Sequence, residues 1–325
     1  MKRVLKLVVF VLWVTSLSGQ EQVIRTETTV VLAPTLVKDL KGKIVFGLRA
    51  EDFVIEDDGV AQKVQLDEVF DTQPVSLVVV VQRGASASKE FERMQGLGSM
   101  LSPLIDQGKT EIAVVEFDSH FNLARDFTTD ERLIRTELRR LRPGDGGAAI
   151  LDAVNYAVTL LNDKPRDRQR VVLLISETRD HGSRATLPNV VTRISNSNLV
   201  IHTLAFSPAL SQVLDDVRGN NPAASNSPDL LAPIIMAAQG MRKNIPKAIA
   251  NMTGGEYELF KSAKSFDTRM SDFDNHIYNR YLLSFQPEDP HPGLHQIRVA
   301  VKRPARAKVE ARTNYWVSPL RSRQP

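Results

Sequence analysis

Beyond its N-terminal segment the chain carries an uninterrupted apolar run, Leu77-Val78-Val79-Val80-Val81, with four β-branched residues in a row. The run does not alternate, so it predicts a strand buried on both faces, as at the centre of a parallel sheet. It breaks at Gln82 into Arg83-Gly84-Ala85-Ser86-Ala87-Ser88. Beyond it, Phe91, Met94, Leu97, Leu101 and Leu104 recur at helical spacing and predict a helix over residues 89–106. A strand over 111–117 and a turn at Asp118-Ser119-His120 lead to a returning strand over 121–126. Thr129-Asp130 caps a helix that runs to Leu141. After the loop Pro143-Gly144-Asp145-Gly146-Gly147, residues 149–161 are amphipathic. Buried strands over 171–176 and 199–206 enclose a helix over 187–194. Strands alternating with helices predict a doubly wound, mostly parallel α/β sheet.

The flanks follow another period. Residues 23–32 suit a strand and Lys41-Gly42-Lys43 a turn. Residues 52–57 alternate with period two, and Asp58-Gly59 signals a hairpin that returns over 62–69. At the other end, residues 281–285, 295–302 and 307–316 read as strands, the last two joined as a hairpin through Arg303-Pro304-Ala305. Isolated hairpins are marginal, so the two flanks are expected to pack together as one discontinuous β unit. Between sheet and C-terminal strands, residues 207–229 are rich in Asn, Pro and Ser and read as a surface insertion. A helix over 230–252 is expected to kink at Pro246 and to stop at Gly254-Gly255. A further helix covers 266–279.

The N-terminus alters the reading of charge. Lys2, Arg3 and Lys6 precede an apolar run of roughly 14 residues, short for a bilayer span, and Ser16 and Ser18 form a small-x-small cleavage pattern. A secretory signal cut after Ser18 or Gly19 is expected, the alternative being an uncleaved anchor. The formal net charge of +4 falls close to zero once those three cations leave with the signal, which removes the case for nucleic acid. The chain has no cysteine, hence no disulfide, thiol chemistry or lipidated Cys.

A set of segments in this order resembles von Willebrand factor A (VWA) domains over residues 76–257: the buried strand and its small-residue loop, Glu116-Phe117-Asp118, Asp126-Phe127-Thr128-Thr129-Asp130, Leu141-Arg142-Pro143-Gly144-Asp145-Gly146-Gly147 and Leu174-Ile175-Ser176-Glu177. The flanks resemble a bacterial secreted subgroup, through Gly47-Leu48, Glu51-Asp52-Phe53 and Tyr281-Leu282-Leu283-Ser284-Phe285 among others. The resemblance implies a Rossmann-like VWA domain over residues 74–258. It also implies a β segment over 20–73 that packs with a helix and hairpin over 259–325, after a signal at 1–19. It further implies a place for a metal-ion-dependent adhesion site, built from Asp-x-Ser-x-Ser, a Thr and an Asp that hold Mg²⁺ through hard oxygens. At those positions this chain has Gln82, Gly84, Ser86, Ala148 and Glu177. One hydroxyl and one longer carboxylate leave Mg²⁺ too few ligands, so no metal and no cofactor are expected. Asp152 and Asp180 read as solvent-facing or helix-capping.

Other chemistry is weaker still. Ser86 lacks a Gly-x-Ser-x-Gly elbow, Gly144–Gly147 lacks the Lys-Ser/Thr of a P-loop, and His202 in an apolar strand reads as a core histidine. The expectation is an exported, non-enzymatic module that binds a protein partner without metal, with no nucleic acid and no stable membrane insertion. The alternatives are an adhesion protein with an altered cation site and a structural envelope component. The expected binding residues are Gln82, Arg83, Gly84, Ser86, Ala148, Glu177 and Arg179. Arg83 and Arg179 are assigned the further role of replacing the ion's charge at the rim.

Overall fold

The computed structural model describes residues 30–67, 73–84, 87–94, 96–106, 108–206, 244–288, 290–304 and 306–318. The expected signal, the expected insertion at 207–229 and Ser86 lie outside them. No helix among the described residues is long and apolar enough to cross a membrane.

The valine run forms β5 (Val75–Gln82), at the interior of a six-stranded sheet ordered β10-β9-β8-β5-β6-β7. Its companions are β6 (Thr110–Phe117), β7 (Phe121–Thr128), β8 (Gln169–Ser176), β9 (Val200–Ala205) and β10 (Tyr257–Leu259). All pairs are parallel except β6–β7, which closes one edge antiparallel. Val78 and Val80 face one layer, with α4 (Ile150–Asn162), α5 (Leu187–Ser195) and α6 (Ile245–Thr253) packed over them. Leu77, Val79 and Val81 face the other, under α1 (Leu97–Met100), α2 (Ser102–Asp106), α3 (Glu131–Arg139) and α7 (Ala263–Tyr278). Each of these buried side chains contributes roughly 1.5–3 kcal/mol, and the absence of polar alternation in β5 follows from two covered faces.

The flanks form two four-stranded sheets. One is ordered β13-β1-β11-β4, from β1 (Val31–Lys38), β4 (Gln65–Asp67), β11 (Tyr281–Phe285) and β13 (Lys308–Ala311). The other is ordered β14-β12-β2-β3, from β2 (Phe53–Asp57), β3 (Val60–Gln62), β12 (Gly293–Val301) and β14 (Asn314–Val317). Val31, Ala33, Phe53, Ile55, Leu283, Phe285, Ile297 and Tyr315 form the core between them. The expected discontinuous β unit is therefore a sandwich. In the Asp58-Gly59 turn both residues have positive φ, as a two-residue hairpin requires.

Several elements differ from expectation. The helix over 89–106 is a 3₁₀ turn, Ala87–Glu90, followed by the short α1 and α2; Gly96, Gly98 and Pro103 are poor interior residues for one long helix. The first strand begins at Val31, and residues before 30 lie outside the description. The return over 62–69 is two short strands, β3 and β4, in different sheets. Pro246 does not kink a helix; it stands in the first turn of α6, where its missing N–H is no loss. Residues 230–243 of the expected helix lie outside the description.

The C-terminal hairpin is interrupted: β12 pairs antiparallel with β14, while the intervening β13 crosses to the other sheet. Residues 307–316 split into β13 and β14, in opposite sheets, and β12 pairs with β2 and β14. The crossing is fixed by buried Arg312, which donates to the carbonyls of Leu32, Ser195 and Ser197. It thereby ties the sandwich to the C-terminal end of α5, where a cation is favoured. Beside it, Lys38 of β1 reaches Glu256 at 2.6 Å and Glu310 at 3.2 Å. Burial would raise the Glu256 carboxyl, but the His276 hydrogen bond and the nearby Arg280 hold it well below the carboxylate range. His202 sits in this seam as a core histidine, lowered to about 3 by burial and by the Arg280 charge.

Candidate functional site

In a doubly wound sheet, ligands bind beyond the carboxyl ends of the strands, where the loops gather. Here β5, β6 and β8 end at Gln82, Phe117 and Ser176, and the loop Gly144–Gly147 joins them. The loops are bound to one another through the main chain. Arg83 N–H donates to Phe117 O, Gly144 N–H to Arg83 O, and Ala149 N–H to Asp118 O, at 2.7, 2.7 and 2.8 Å. Ala148 and His181 exchange both of their backbone hydrogen bonds.

Each expected residue has a definite place. Gln82 is 1% exposed, and its Oε1 accepts the Glu177 N–H at 2.8 Å. Its carbonyl oxygen thus serves the neighbouring loop. Gly84 packs so closely on the next loop that a Cβ there would lie inside the envelope of the Gly147 carbonyl oxygen. Ala148 is fully buried and offers no side-chain donor atom. Glu177 is 6% exposed, and its Oε1 lies 3.1 Å from His181 Nδ1. Ser86 lies outside the described residues. Four of the five positions that hold the ion in the resembled family are thus brought together, and they do not fit Mg²⁺. An amide is engaged with backbone, two positions carry no side-chain oxygen and have their carbonyls engaged by the main chain, and the carboxylate is turned to a histidine.

Arg83 and Arg179 part company. The Arg83 guanidinium lies 3.0 Å from Asp118 Oδ2 and 3.5 Å from Glu116 Oε1. Arg83 thus meets two carboxylates within the protein, which leaves less of its charge for a partner at the rim than the sequence suggested. Arg179 is exposed. Asp118 and Asp145 are likewise committed. Asp145 Oδ1 accepts from Ser119 N–H at 3.0 Å and Gly147 N–H at 2.8 Å, chiefly the latter holding its carboxyl below the ordinary value. Asp180 and Asp152 do cap structure. Asp180 Oδ1 accepts the Leu151 N–H in the first turn of α4, and Asp152 accepts the Arg184 and Ala185 N–H groups.

Sequence reasoning missed His181. Its ring spans Glu177 Oε1 and the Gly146 carbonyl, the latter 3.0 Å from Nε2, and so closes the site between two loops. The only signal was its spacing of four residues from Glu177. Phe121 was also missed: it is 42% exposed at the head of β7 and stacks on Tyr156 with centroids 4.6 Å apart. The rim therefore presents an aromatic face and the exposed cations Arg142 and Arg179 above a sealed floor.

Residues 77–179 match the family model of the von Willebrand factor type A domain. No curated protein matches the chain. Among solved structures, the PilB minor pilin of Streptococcus sanguinis is similar at 11% identity, with 64% of this chain and 62% of the pilin covered and a TM-score of 0.45. BatB, a conserved hypothetical protein of Bacteroides thetaiotaomicron, is similar at 13% identity over 62% of this chain and 98% of that one, with a TM-score of 0.43. The vWF domain of the type V pili tip protein Mfa5 of Porphyromonas gingivalis is similar at 12% identity over 63% of this chain and 96% of that one, with a TM-score of 0.41.

Proposed function

Since residues 77–179 match the von Willebrand factor type A domain, we propose that the chain is an exported, non-enzymatic adhesion or scaffold module that holds a protein partner without a metal ion at the loop end of its sheet. The observation that carries this reading is the Gln82 side chain. At the first position of the family's cation loop, its oxygen accepts the buried Glu177 N–H. A cation there would have to displace that bond and leave a buried donor unpaired, at roughly 1–3 kcal/mol. The partner's contact then falls to the rim. Phe121 supplies an apolar anchor and Arg142 and Arg179 supply charge, the residue types that dominate protein interfaces. Export rests on the basic and apolar N-terminal pattern.

The test is capture of a partner from envelope extract by the mature protein, repeated with EDTA and with Arg179→Ala and Phe121→Ala. Binding should persist in EDTA and fall at least tenfold in Phe121→Ala. The Arg179→Ala loss should be smaller and shrink at high salt. Binding abolished by EDTA and restored by Mg²⁺ would instead favour an altered cation site.

A further inference from the structure

The β2–β3 turn and the segment that enters β12 bring Asp57, Asp58, His291 and His295 close together. One ligand atom each from Asp58, His291 and His295 lie within 4.8 Å of one another. We infer that these residues, with Asp57, form a binding site for a divalent transition-metal ion of the zinc class.

The case rests on how each group is held. His295 is 1% exposed, and its Nε2 lies 2.7 Å from the His291 carbonyl oxygen. That bond fixes Nε2 as the protonated nitrogen and aims Nδ1 at the two carboxylates, 2.9 Å from Asp58 Oδ2 and 3.5 Å from Asp57 Oδ1. Asp58 Oδ1 is occupied by the Gln296 N–H at 2.9 Å, so Oδ2 is its inward atom. Asp57 Oδ2 is occupied by the Tyr315 hydroxyl at 2.7 Å. Asp57 is 7% exposed, and its remaining Oδ1 has no hydrogen-bond partner; nor has His295 Nδ1 in acceptable geometry. Three groups are thus each tied at one atom by a neighbour and turn the other toward the His295 ring nitrogen or, for His295, toward the two carboxylates. This is how metal ligands are oriented: a carbonyl or hydroxyl outside the shell sets the tautomer and rotamer of the ligand inside it. The His291 ring, exposed and with its centroid 4.2 Å from that of His295, supplies a second nitrogen from the solvent side.

The donor set decides the ion. Two imidazole nitrogens with the Asp58 carboxylate, and Asp57 close by at 3.5 Å from His295 Nδ1, suit tetrahedral Zn²⁺, and similarly Co²⁺. Mg²⁺ and Ca²⁺ prefer all-oxygen shells. The competing account is a simple ion pair: burial works against a charge on His295, yet Asp57 and Asp58 push its ring up to about 10.

The experiment uses the full mature chain freed of metal. Calorimetric titration with ZnCl₂ should show one site per chain. CoCl₂ should develop the visible absorbance of four-coordinate cobalt, bleached by one equivalent of Zn²⁺. His291→Ala changes an exposed residue and should weaken Zn²⁺ at least tenfold, as should Asp58→Asn. Tyr315→Phe, which removes only the bond that orients Asp57, should weaken it by roughly tenfold or more; thermal melts check that each variant is folded. MgCl₂ should give no heat. No Zn²⁺ binding at millimolar concentration would overturn the proposal and leave the ion pair. So would one-site binding that His291→Ala and Tyr315→Phe leave unchanged.

Discussion

The loop end of the sheet and the β2–β3 turn make opposite use of similar residues. Both gather carboxylates, a histidine and main-chain polar groups. At the loop end the named groups already have partners. Gln82 takes the Glu177 N–H, Asp145 takes two N–H groups, Asp118 takes Arg83, and Glu177 faces His181. At the turn, Asp57 Oδ1 and His295 Nδ1 make no hydrogen bond in good geometry, and only the carboxylates of Asp57 and Asp58 face the ring nitrogen. A polar cluster is therefore not a site because of its residue types. It becomes one when the surrounding structure satisfies all but the atoms that point inward.

The strongest way to break this contrast is to rebuild the family's cation loop. Gln82→Asp, Gly84→Ser and Ala148→Thr together restore its donor atoms. Because a Cβ at Gly84 meets the Gly147 carbonyl, the triple variant should lose about 3 kcal/mol or more in denaturant unfolding, from overpacking and the lost Glu177 bond. It should also take up no Mg²⁺. A variant of native stability that binds Mg²⁺ would show that the closure is superficial. Zn²⁺ titration of the same variant reports on the turn and should be unaltered.

Gln82→Ala is a milder probe. It leaves the Glu177 N–H unpaired and opens a small void, a loss of roughly 1–3 kcal/mol by the same unfolding measurement. A loss under about 0.5 kcal/mol would mean that water replaces the amide freely, which would weaken the argument against a cation.

The smallest effect is one of pH. The Asp145 carboxyl is held below its ordinary 3.8, first by the Gly147 N–H. A depressed carboxylate adds stability above its unfolded value and loses it as pH falls through the folded one. The Gly144–Gly147 loop should therefore keep its amide protection at pH 4 and lose it on further acidification. NMR titration of the Asp145 carboxyl carbon checks this, and an ordinary midpoint would count against a saturated loop end.

Much of this was legible in the sequence where one local pattern decided the outcome. The unbroken valines specified a strand covered on both faces, and Asp58-Gly59 specified its turn. The loop-end positions fell out of the order of motifs, because strand ends and loops alternate regularly in a doubly wound sheet. The rest depended on contacts that no window holds. Residues 307–316 read as one strand, since nothing local says that the chain leaves one sheet for the other at Arg312. Asp58 read only as a turn residue, and His295 only as part of a strand. Their meeting is set by the pairing of β12 with β2. The neighbours that meet the Arg83 charge, Glu116 and Asp118, were not legible because they belong to the next strand and its turn.

The division of the sandwich between the two ends of the chain also sets a timetable. Asp57 and Tyr315 are 258 residues apart, and β2 cannot gain its cover until β12 and β14 exist. Contacts so distant in sequence form slowly. Through that interval Phe53 and Ile55 are without their core, and unpaired strand edges of this kind recruit other chains. The cluster of Asp57, Asp58, His291 and His295 is then among the last features to be assembled. Its ion is taken up wherever folding ends, and the metals available in that compartment, more than the affinity of the site, decide which one it carries.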